Sequence, residues 1–198
     1  MKSFAILLMF IGMHYCFAQD SLVSFSPEAF ELNYEVSLSG LDGWLFKEGN
    51  DTLWAKKDIN TKDWRKLKPT EISAKFADKN GKVEGWFRFR FRLDNNFGIP
   101  IGVRRGGWAA TDVFVDGNLL SAFGNTGTNG KGFQEYNPID KLSVTVNLEP
   151  GKEHLIAIHF VDYLSSFPPH HLKSETDGGS RFVTMGLKHF LALTGPHR

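Results

Sequence analysis

Residues 86–93, WFRFRFRL, alternate between two kinds of side chain. Successive residues of an extended chain point to opposite faces, so this pattern predicts a two-faced β-strand. One face carries Phe87, Phe89, Phe91 and Leu93, and the other carries Trp86, Arg88, Arg90 and Arg92. We expect the apolar face to line a core. The arginine face is expected to be solvated, because arginine extends its charged head into water, and the alternative is a docking surface for an acidic partner.

Further short apolar runs, each bounded by turn residues, predict additional strands at 99–103, 113–115, 119–123, 155–161 and 180–190. Asp116-Gly117 is a hairpin turn signal, because glycine accepts a positive φ. The run 155–161 is apolar at both parities, which is typical of a central strand covered on both faces. Near-regular strands without helix-period segments between them predict a sandwich or barrel.

The first twenty residues predict export. Lys2 precedes an apolar run from Phe4 to Met13, and small residues follow before Gln19. This run is too short for a membrane span, and it resembles a secretory signal peptide over residues 1–18. We expect a periplasmic or extracellular mature chain that has no transmembrane segment. Because the single cysteine, Cys16, lies in the signal, the mature chain would fold without disulfides.

Composition narrows the class further. The chain has 198 residues and a formal net charge of +1, which suits one domain and gives no basic background for nucleic-acid binding. Its 18 phenylalanines and 5 tryptophans favour an all-β protein. We expect residues 19–40 to form a leader that supplies an edge strand, and residues 41–198 to form the sandwich. Trp44, Trp54, Trp64 and Trp86 are expected to hold long loops against it.

Five motifs carry a family resemblance: WLFKEGNDTLWA (44–55), DW (63–64), GWFRFRF (85–91), VFVDG (113–117) and GKEHLIAI (151–158). In this order they resemble the galactose-binding-like jelly rolls. Such domains occur at the N-terminus of family 2 glycoside hydrolases and as extracellular sensory heads of bacterial membrane signalling proteins, especially in Bacteroidetes. The resemblance implies an all-β jelly-roll β-sandwich. His159 and Asp116 depart from it, since relatives often have Arg and Asn there.

A candidate binding site follows from the glycine-flanked Trp108 in RRGGWAAT. An aromatic ring beside arginine forks suits a sugar or a carboxylate, and loops commonly carry such sites. A structural role for Trp108 is the alternative. We predict that the ligand is bound by loop residues Arg104, Arg105, Trp108, Asn125, Gln134, Glu135 and Tyr136.

Catalytic and metal chemistry find little support in the sequence. The acidic residues lie in turns without a pair suited to glycoside hydrolysis, and no G-x-S-x-G elbow is present. The adjacent His170 and His171 cannot point the same way on an extended chain, and no metal-ligand spacing appears. Structural calcium at NNF (95–97) or TDVF (111–114) is a weaker alternative to no cofactor.

The sequence therefore predicts an exported, non-catalytic recognition domain that binds a carbohydrate or small molecule as the sensory input module of a bacterial signalling protein. Two alternatives remain open. One is an accessory sugar-binding domain of a family 2-like glycoside hydrolase without its catalytic barrel. The other is a protein-docking module that uses the face of Arg88, Arg90 and Arg92.

Overall fold

Eleven strands build the fold in the computed structural model, which describes residues 22–30, 35–98, 100–128, 130–138, 143–164 and 184–189. They are β1 (Val23–Phe25), β2 (Glu35–Ser37), β3 (Leu45–Glu48), β4 (Arg65–Lys66), β5 (Lys82–Leu93), β6 (Ile101–Gly106), β7 (Ala110–Val115), β8 (Asn118–Phe123), β9 (Ser143–Val146), β10 (Glu153–Tyr163) and β11 (Thr184–His189). Short 3₁₀ helices span Pro27–Phe30, Thr52–Ala55, Pro69–Glu71 and Ala74–Phe76. The described residues contain no helix long and apolar enough to cross a membrane. The expected signal peptide, residues 1–18, lies outside the described residues.

Two sheets face each other across the core. The large sheet has the order β4-β3-β5-β10-β7-β8, with β1 added in parallel to the end of β5, and the small sheet has the order β2-β11-β6-β9. Every other strand pair is antiparallel. This arrangement confirms the predicted all-β jelly-roll sandwich. Strand β2, from the expected leader, lies at the edge of the small sheet.

Alternation along β5 places its phenylalanines in the core as predicted. Phe87, Phe89 and Phe91 are at most 1% exposed, and they pack against inward-facing residues of both sheets. The neighbouring strand β10 is buried at every position from His154 to Asp162, so it is covered on both faces. These two strands pair over eleven positions and form the centre of the large sheet.

The outer face of the large sheet is covered by the connection between β3 and β4. Ala55 and Trp64 from this connection pack on Trp86 of β5 and Ala157 of β10, forming a second apolar cluster outside the sandwich. Trp54 adds an edge-to-face contact with Trp64, with ring centroids 5.4 Å apart. Trp44 instead enters the main core. Trp54 and Trp64 therefore hold the connection against Trp86 of the sheet, as predicted, whereas Trp44 packs in the main core.

This cover overturns one sequence expectation. Arg88 is only 2% exposed, because its guanidinium donates hydrogen bonds to the carbonyl oxygens of Trp54, Lys56 and Lys57 in the covering connection. Arg90 is half-buried and pairs with Glu153, and Arg92 is exposed. The expectation of a solvated arginine face was wrong for Arg88, so the three arginines do not present one continuous docking surface.

The turn at Asp116-Gly117 joins β7 to β8 as predicted. Both residues have positive φ, 49° at Asp116 and 86° at Gly117. One carboxylate oxygen of Asp116 accepts a hydrogen bond from the main-chain nitrogen of Leu155 at 2.8 Å, and the other lies 2.6 Å from Nδ1 of His154. The aspartate thus ties the hairpin turn to the central strand β10.

Candidate functional site

One end of the sandwich gathers most of the predicted binding residues. The β6–β7 turn (107–109) crosses there from the small sheet to the large one, and the loop that follows β8 (124–136) returns beside it. The C-terminal end of β10 lies at the same end, because Val161 pairs with Ala110 of β7. We call the surface formed by residues 107–109, 124–128 and 130–136 the loop-end platform.

Arg105 holds the β6–β7 turn from inside the sandwich. Its guanidinium donates to the carbonyl oxygens of Gly106, Gly107 and Ala109, and its Nε donates to Oγ1 of Thr111 at 3.1 Å. The side chain is 1% exposed. Burial lowers its pKa to about 9, while neighbouring Tyr136 and Asp162 oppose that shift, so the group stays charged at neutral pH. Arg105 therefore fixes the turn and does not reach the surface.

Trp108 is the exposed residue of this turn. It is 38% exposed, although its main chain is held on both sides, by Arg105 beneath and by a 3.0 Å hydrogen bond from the nitrogen of Tyr136 to the Trp108 carbonyl oxygen. An exposed indole on a fixed backbone is suited to stacking against a flat apolar face of a ligand.

Asn125 and Gln134 close the second loop of the platform. Their main chains exchange two hydrogen bonds, from Asn125 nitrogen to Gln134 oxygen at 2.7 Å and from Gln134 nitrogen to Asn125 oxygen at 2.9 Å. The approach depends on Gly124, which has φ of +73° and packs against the main chain of residues 134–136. A side chain at position 124 would collide with the Gln134 carbonyl oxygen and with the Tyr136 nitrogen.

Glu135 and Tyr136 bring polar atoms to the platform. Tyr136 is buried, packs edge-on against Phe123 with ring centroids 5.3 Å apart, and lies under the guanidinium of Arg105. Glu135 is half-buried. Within the described residues, neither the Tyr136 hydroxyl nor Oε1 of Glu135 has a hydrogen-bond partner, although both atoms are buried. A buried acceptor without a donor is costly, and this oxygen of Glu135 lies beneath the platform surface.

Two of the predicted binding residues do not join the platform surface. Arg104 and Arg105 lie in strand β6 and not in a loop as expected, because β6 extends to Gly106. Their parity separates them: Arg105 points into the sandwich, whereas Arg104 points outward and pairs with Glu35 at 2.9 Å. The structure therefore brings together Trp108, Asn125, Gln134, Glu135 and Tyr136, with Arg105 beneath them.

Sequence reasoning missed a polar chain on the outer face of the large sheet. His159 of β10 is 2% exposed, with Nε2 3.2 Å from Oε1 of Glu84 and Nδ1 3.6 Å from Oδ2 of Asp112. The same Asp112 oxygen accepts a 2.7 Å hydrogen bond from Thr126 in the platform loop. The register that opposes His159 to Trp86 and Asp112 creates this chain, and a histidine in an apolar strand is its only local signal.

The charged groups in this chain of polar contacts shift the pKa values of His159 and Glu84. Burial favours neutral His159, but the hydrogen bonds and charges of Asp112 and Glu84 outweigh it and raise the His159 pKa above its usual 6.5. Burial likewise opposes the charged form of Glu84, yet His159 and Lys82 lower its pKa overall. His159 therefore carries a proton more readily than a solvated histidine.

Asp112 and His154 have other partners where the structure describes them. Asp112 of TDVF accepts from Thr126, and the His154 ring contacts Asp116 and the Glu149 carbonyl oxygen. Among the described residues, no cluster of three or more His, Cys, Asp or Glu side chains is arranged to hold a metal ion. His170 and His171 lie outside the described residues.

A surface concavity of about 470 Å³ lies away from the platform, beside β3 and β4. Asp42, Trp44, Lys68 and Glu71 are among its lining residues. Lys68 forms an ion pair with Asp42 at 2.9 Å, and the Lys68 main-chain nitrogen donates to Glu71. These internal pairs leave Lys68, Asp42 and Glu71 bonded to one another, and we assign no ligand there.

Comparison with known proteins shows the fold. No protein-family model matches the chain, and no curated protein matches it. A solved structure of a glycosyl hydrolase family 2 member from Bacteroides cellulosilyticus DSM 14838 matches with a TM-score of 0.50 and 18% identity, over 79% of this chain and 20% of that one. A second structure described as a family 2 member from Bacteroides cellulosilyticus matches with the same score and identity, over 78% of this chain. The chain therefore shares a β-sandwich fold with about a fifth of a much longer protein.

Proposed function

We propose that this chain is an exported, non-catalytic recognition domain that binds a carbohydrate on the loop-end platform. The observation that supports this proposal is the state of Trp108: the residue is 38% exposed, yet the backbone of its turn is held by Arg105 and by Tyr136. Ordering a flexible aromatic loop would cost binding free energy, and a preorganised loop avoids that cost.

The polar surroundings of Trp108 suit a sugar. Pyranose rings combine an apolar C–H face with hydroxyl groups at the rim, so they need an aromatic surface beside hydrogen-bonding side chains. Gln134 and Glu135 directly precede Tyr136, whose main-chain nitrogen donates to the Trp108 carbonyl oxygen. The name of the structural neighbour, a glycosyl hydrolase, also supports a carbohydrate ligand over other small molecules.

Two settings for such a domain are proposed. One is the sensory input module of a bacterial signalling protein, and the other is an accessory sugar-binding domain of a family 2-like glycoside hydrolase. The structural neighbour favours the second setting, since the shared fold there is part of a hydrolase. Reading the gene beyond the codon for Arg198 separates them: membrane helices support the first setting, and a (β/α)₈ pattern supports the second.

Calorimetry with a panel of soluble mono- and oligosaccharides tests the proposal. Trp108→Ala is expected to abolish the binding heat and to leave the melting temperature nearly unchanged, whereas Trp108→Tyr keeps part of the binding. Leu119→Ala is the matched control, because Leu119 is a large exposed apolar residue (58%) in strand β8. A large fall in melting temperature on Trp108→Ala would instead show that the indole is structural.

A further inference from the structure

We propose that the protonation state of His159 controls how residues 126–128 of the platform loop are held on the large sheet. In its charged form the imidazole keeps Asp112 in the position at which this carboxylate accepts the hydrogen bond of Thr126. Loss of the proton releases residues 126–128. The inference goes beyond the proposed sugar binding, because it concerns the fastening of the loop and requires no ligand.

The contacts that carry the inference form a continuous series across three strands. Oε1 of Glu84 in β5 lies 3.2 Å from Nε2 of His159 in β10. Nδ1 of His159 lies 3.6 Å from Oδ2 of Asp112 in β7. That oxygen accepts a 2.7 Å hydrogen bond from Oγ1 of Thr126, and the hydroxyls of Thr126 and Thr128 lie 2.9 Å apart. The series therefore joins the centre of the large sheet to the platform loop.

The hydroxyl of Thr126 makes the loop dependent on Asp112. A hydroxyl has one proton to donate, and Thr126 donates it to Asp112, so the Thr128 hydroxyl donates to Thr126 in turn. Thr126 is only 6% exposed, so water has little access to replace the carboxylate as acceptor. A buried donor that loses its acceptor is costly. The position of residues 126–128 therefore depends on where Oδ2 of Asp112 lies.

A single oxygen of Asp112 faces both His159 and Thr126. A protonated imidazole has an N–H on each ring nitrogen and attracts both neighbouring carboxylates, whereas a neutral imidazole has one N–H. The contact with Glu84 is within hydrogen-bonding distance and the longer contact with Asp112 is not, so the remaining proton stays on Nε2. Nδ1 then presents a lone pair to Oδ2 of Asp112, and the attraction becomes a repulsion.

The surroundings of Asp112 allow the carboxylate to respond. Its side chain is 19% exposed, so Oδ2 can turn towards water and away from Thr126 when His159 is neutral. The main-chain hydrogen bonds between Asn125 and Gln134 do not involve Asp112, and they hold the base of the loop in either state. The release is therefore confined to residues 126–128.

The groups around the imidazole set the pH range of the release. In the described part of the chain, β5 presents Glu84, its partner Lys82 at 2.7 Å and the uncharged ring of Trp86, and β7 presents Asp112. Burial raises the pKa of Glu84, but His159 and Lys82 lower it overall, so Glu84 stays charged where histidine titrates. Burial lowers the pKa of His159, but Asp112 and Glu84 raise it overall above 6.5. We therefore expect the release above pH 6.5.

Methyl NMR of the full chain tests the inference without a ligand. With ¹³C-labelled threonine methyl groups, Thr128 is followed from about pH 5.5 to about pH 9, together with the imidazole carbons of His159. We expect the Thr128 methyl shift to titrate with the midpoint of His159, and its order parameter to fall on the alkaline side. The methyl group of Thr145, in β9 of the other sheet, is the internal control and should not follow this transition.

Two substitutions separate the hydrogen bond from the electric field of the charged imidazole. Thr126→Val keeps the shape of the side chain and removes the hydroxyl, so His159 should still titrate while Thr128 no longer follows it. Thr126→Ser keeps the hydroxyl and should keep the response. A Thr128 methyl group that does not follow His159 in the unmodified chain overturns the inference, and so does a response that persists in Thr126→Val. Both outcomes leave the proposed function standing, because neither measures sugar binding.

Discussion

The imidazole of His159 lies against the indole of Trp86, with ring centroids 5.1 Å apart and planes inclined by 27°. The two residues face each other across β5 and β10, and the histidine also lies between the carboxylates of Glu84 and Asp112. A protonated imidazole gains from both neighbours, through the negative face of the ring and through the two charges. The chain of polar contacts continues from His159 through Asp112 to Thr126 of the platform loop.

The stability of the domain is expected to fall as pH rises above about 6.5, the ordinary histidine pKa. The folded-state pKa of His159 is raised above its ordinary value near 6.5. Its stabilising contribution is therefore complete below about pH 6.5 and is lost as pH rises through the folded pKa, about 1.4 kcal/mol per unit of difference. Urea denaturation between pH 6 and pH 9 measures this. His159→Gln should show a much flatter profile, and parallel profiles for both proteins would contradict the assignment.

Arg88→Met is expected to destabilise the fold strongly. The change leaves the carbonyl oxygens of Trp54, Lys56 and Lys57 without their donor beneath the covering connection, at about 3 kcal/mol or more in total. Arg92→Met is the matched control on the same face of the same strand. Because Arg92 is exposed, its replacement should stay within about 0.5 kcal/mol. Equal losses in the two variants, measured by urea denaturation, would count against the burial of Arg88.

Gly124→Ala is expected to disturb the platform, and Gly130→Ala is not. Both glycines have similar positive φ, 73° and 77°, so both variants carry the same backbone strain of about 1–2 kcal/mol. Only at position 124 does a Cβ meet other atoms, those of Gln134 and Tyr136. We expect Gly124→Ala to weaken sugar binding beyond the strain effect. Calorimetric affinities that fall equally in both variants would show that crowding plays no part.

Asp116→Asn is expected to be milder than Asp116→Ala. Asparagine tolerates the positive φ at this position and keeps an oxygen for the Leu155 nitrogen, losing only the charge toward His154 and Lys57. Alanine loses both and meets the backbone strain, so we expect a further loss of about 1–2 kcal/mol. Thermal unfolding of the two variants compares these effects directly. An alanine variant as stable as the asparagine variant would show that the side chain of Asp116 does not stabilise the turn.

Local sequence patterns were sufficient to predict the strands but insufficient to predict which arginines are buried. The alternation at residues 86–93 requires only the two-residue period of a strand, so it correctly placed Phe87, Phe89 and Phe91 in the core. The burial of Arg88 depends on a connection about thirty residues earlier that folds over the outer face of the sheet. No pattern within β5 records that cover, which is why the predicted solvated face was wrong there.

The candidate site was predicted in part for a similar reason. Trp108 and the loop at 124–136 are marked by glycines, which indicate turns wherever they occur in the fold. Arg105 was taken for a loop residue because the adjacent Gly106-Gly107 pair obscured the end of β6. An arginine near the end of a strand faces either a ligand or its own backbone, and a shift of the strand by one residue exchanges the two. The sequence carries no signal that decides between them.

Arg105 fixes the shape of the β6–β7 turn independently of which side chain stands at position 108. Its hydrogen bonds reach main-chain carbonyls of residues 106, 107 and 109, and none of them involves the indole at position 108. The same scaffold can therefore display other side chains at that point without being rebuilt. If the platform binds a ligand as proposed, substitution of this one residue would change what the domain binds without loss of the hydrogen bonds that fix the turn.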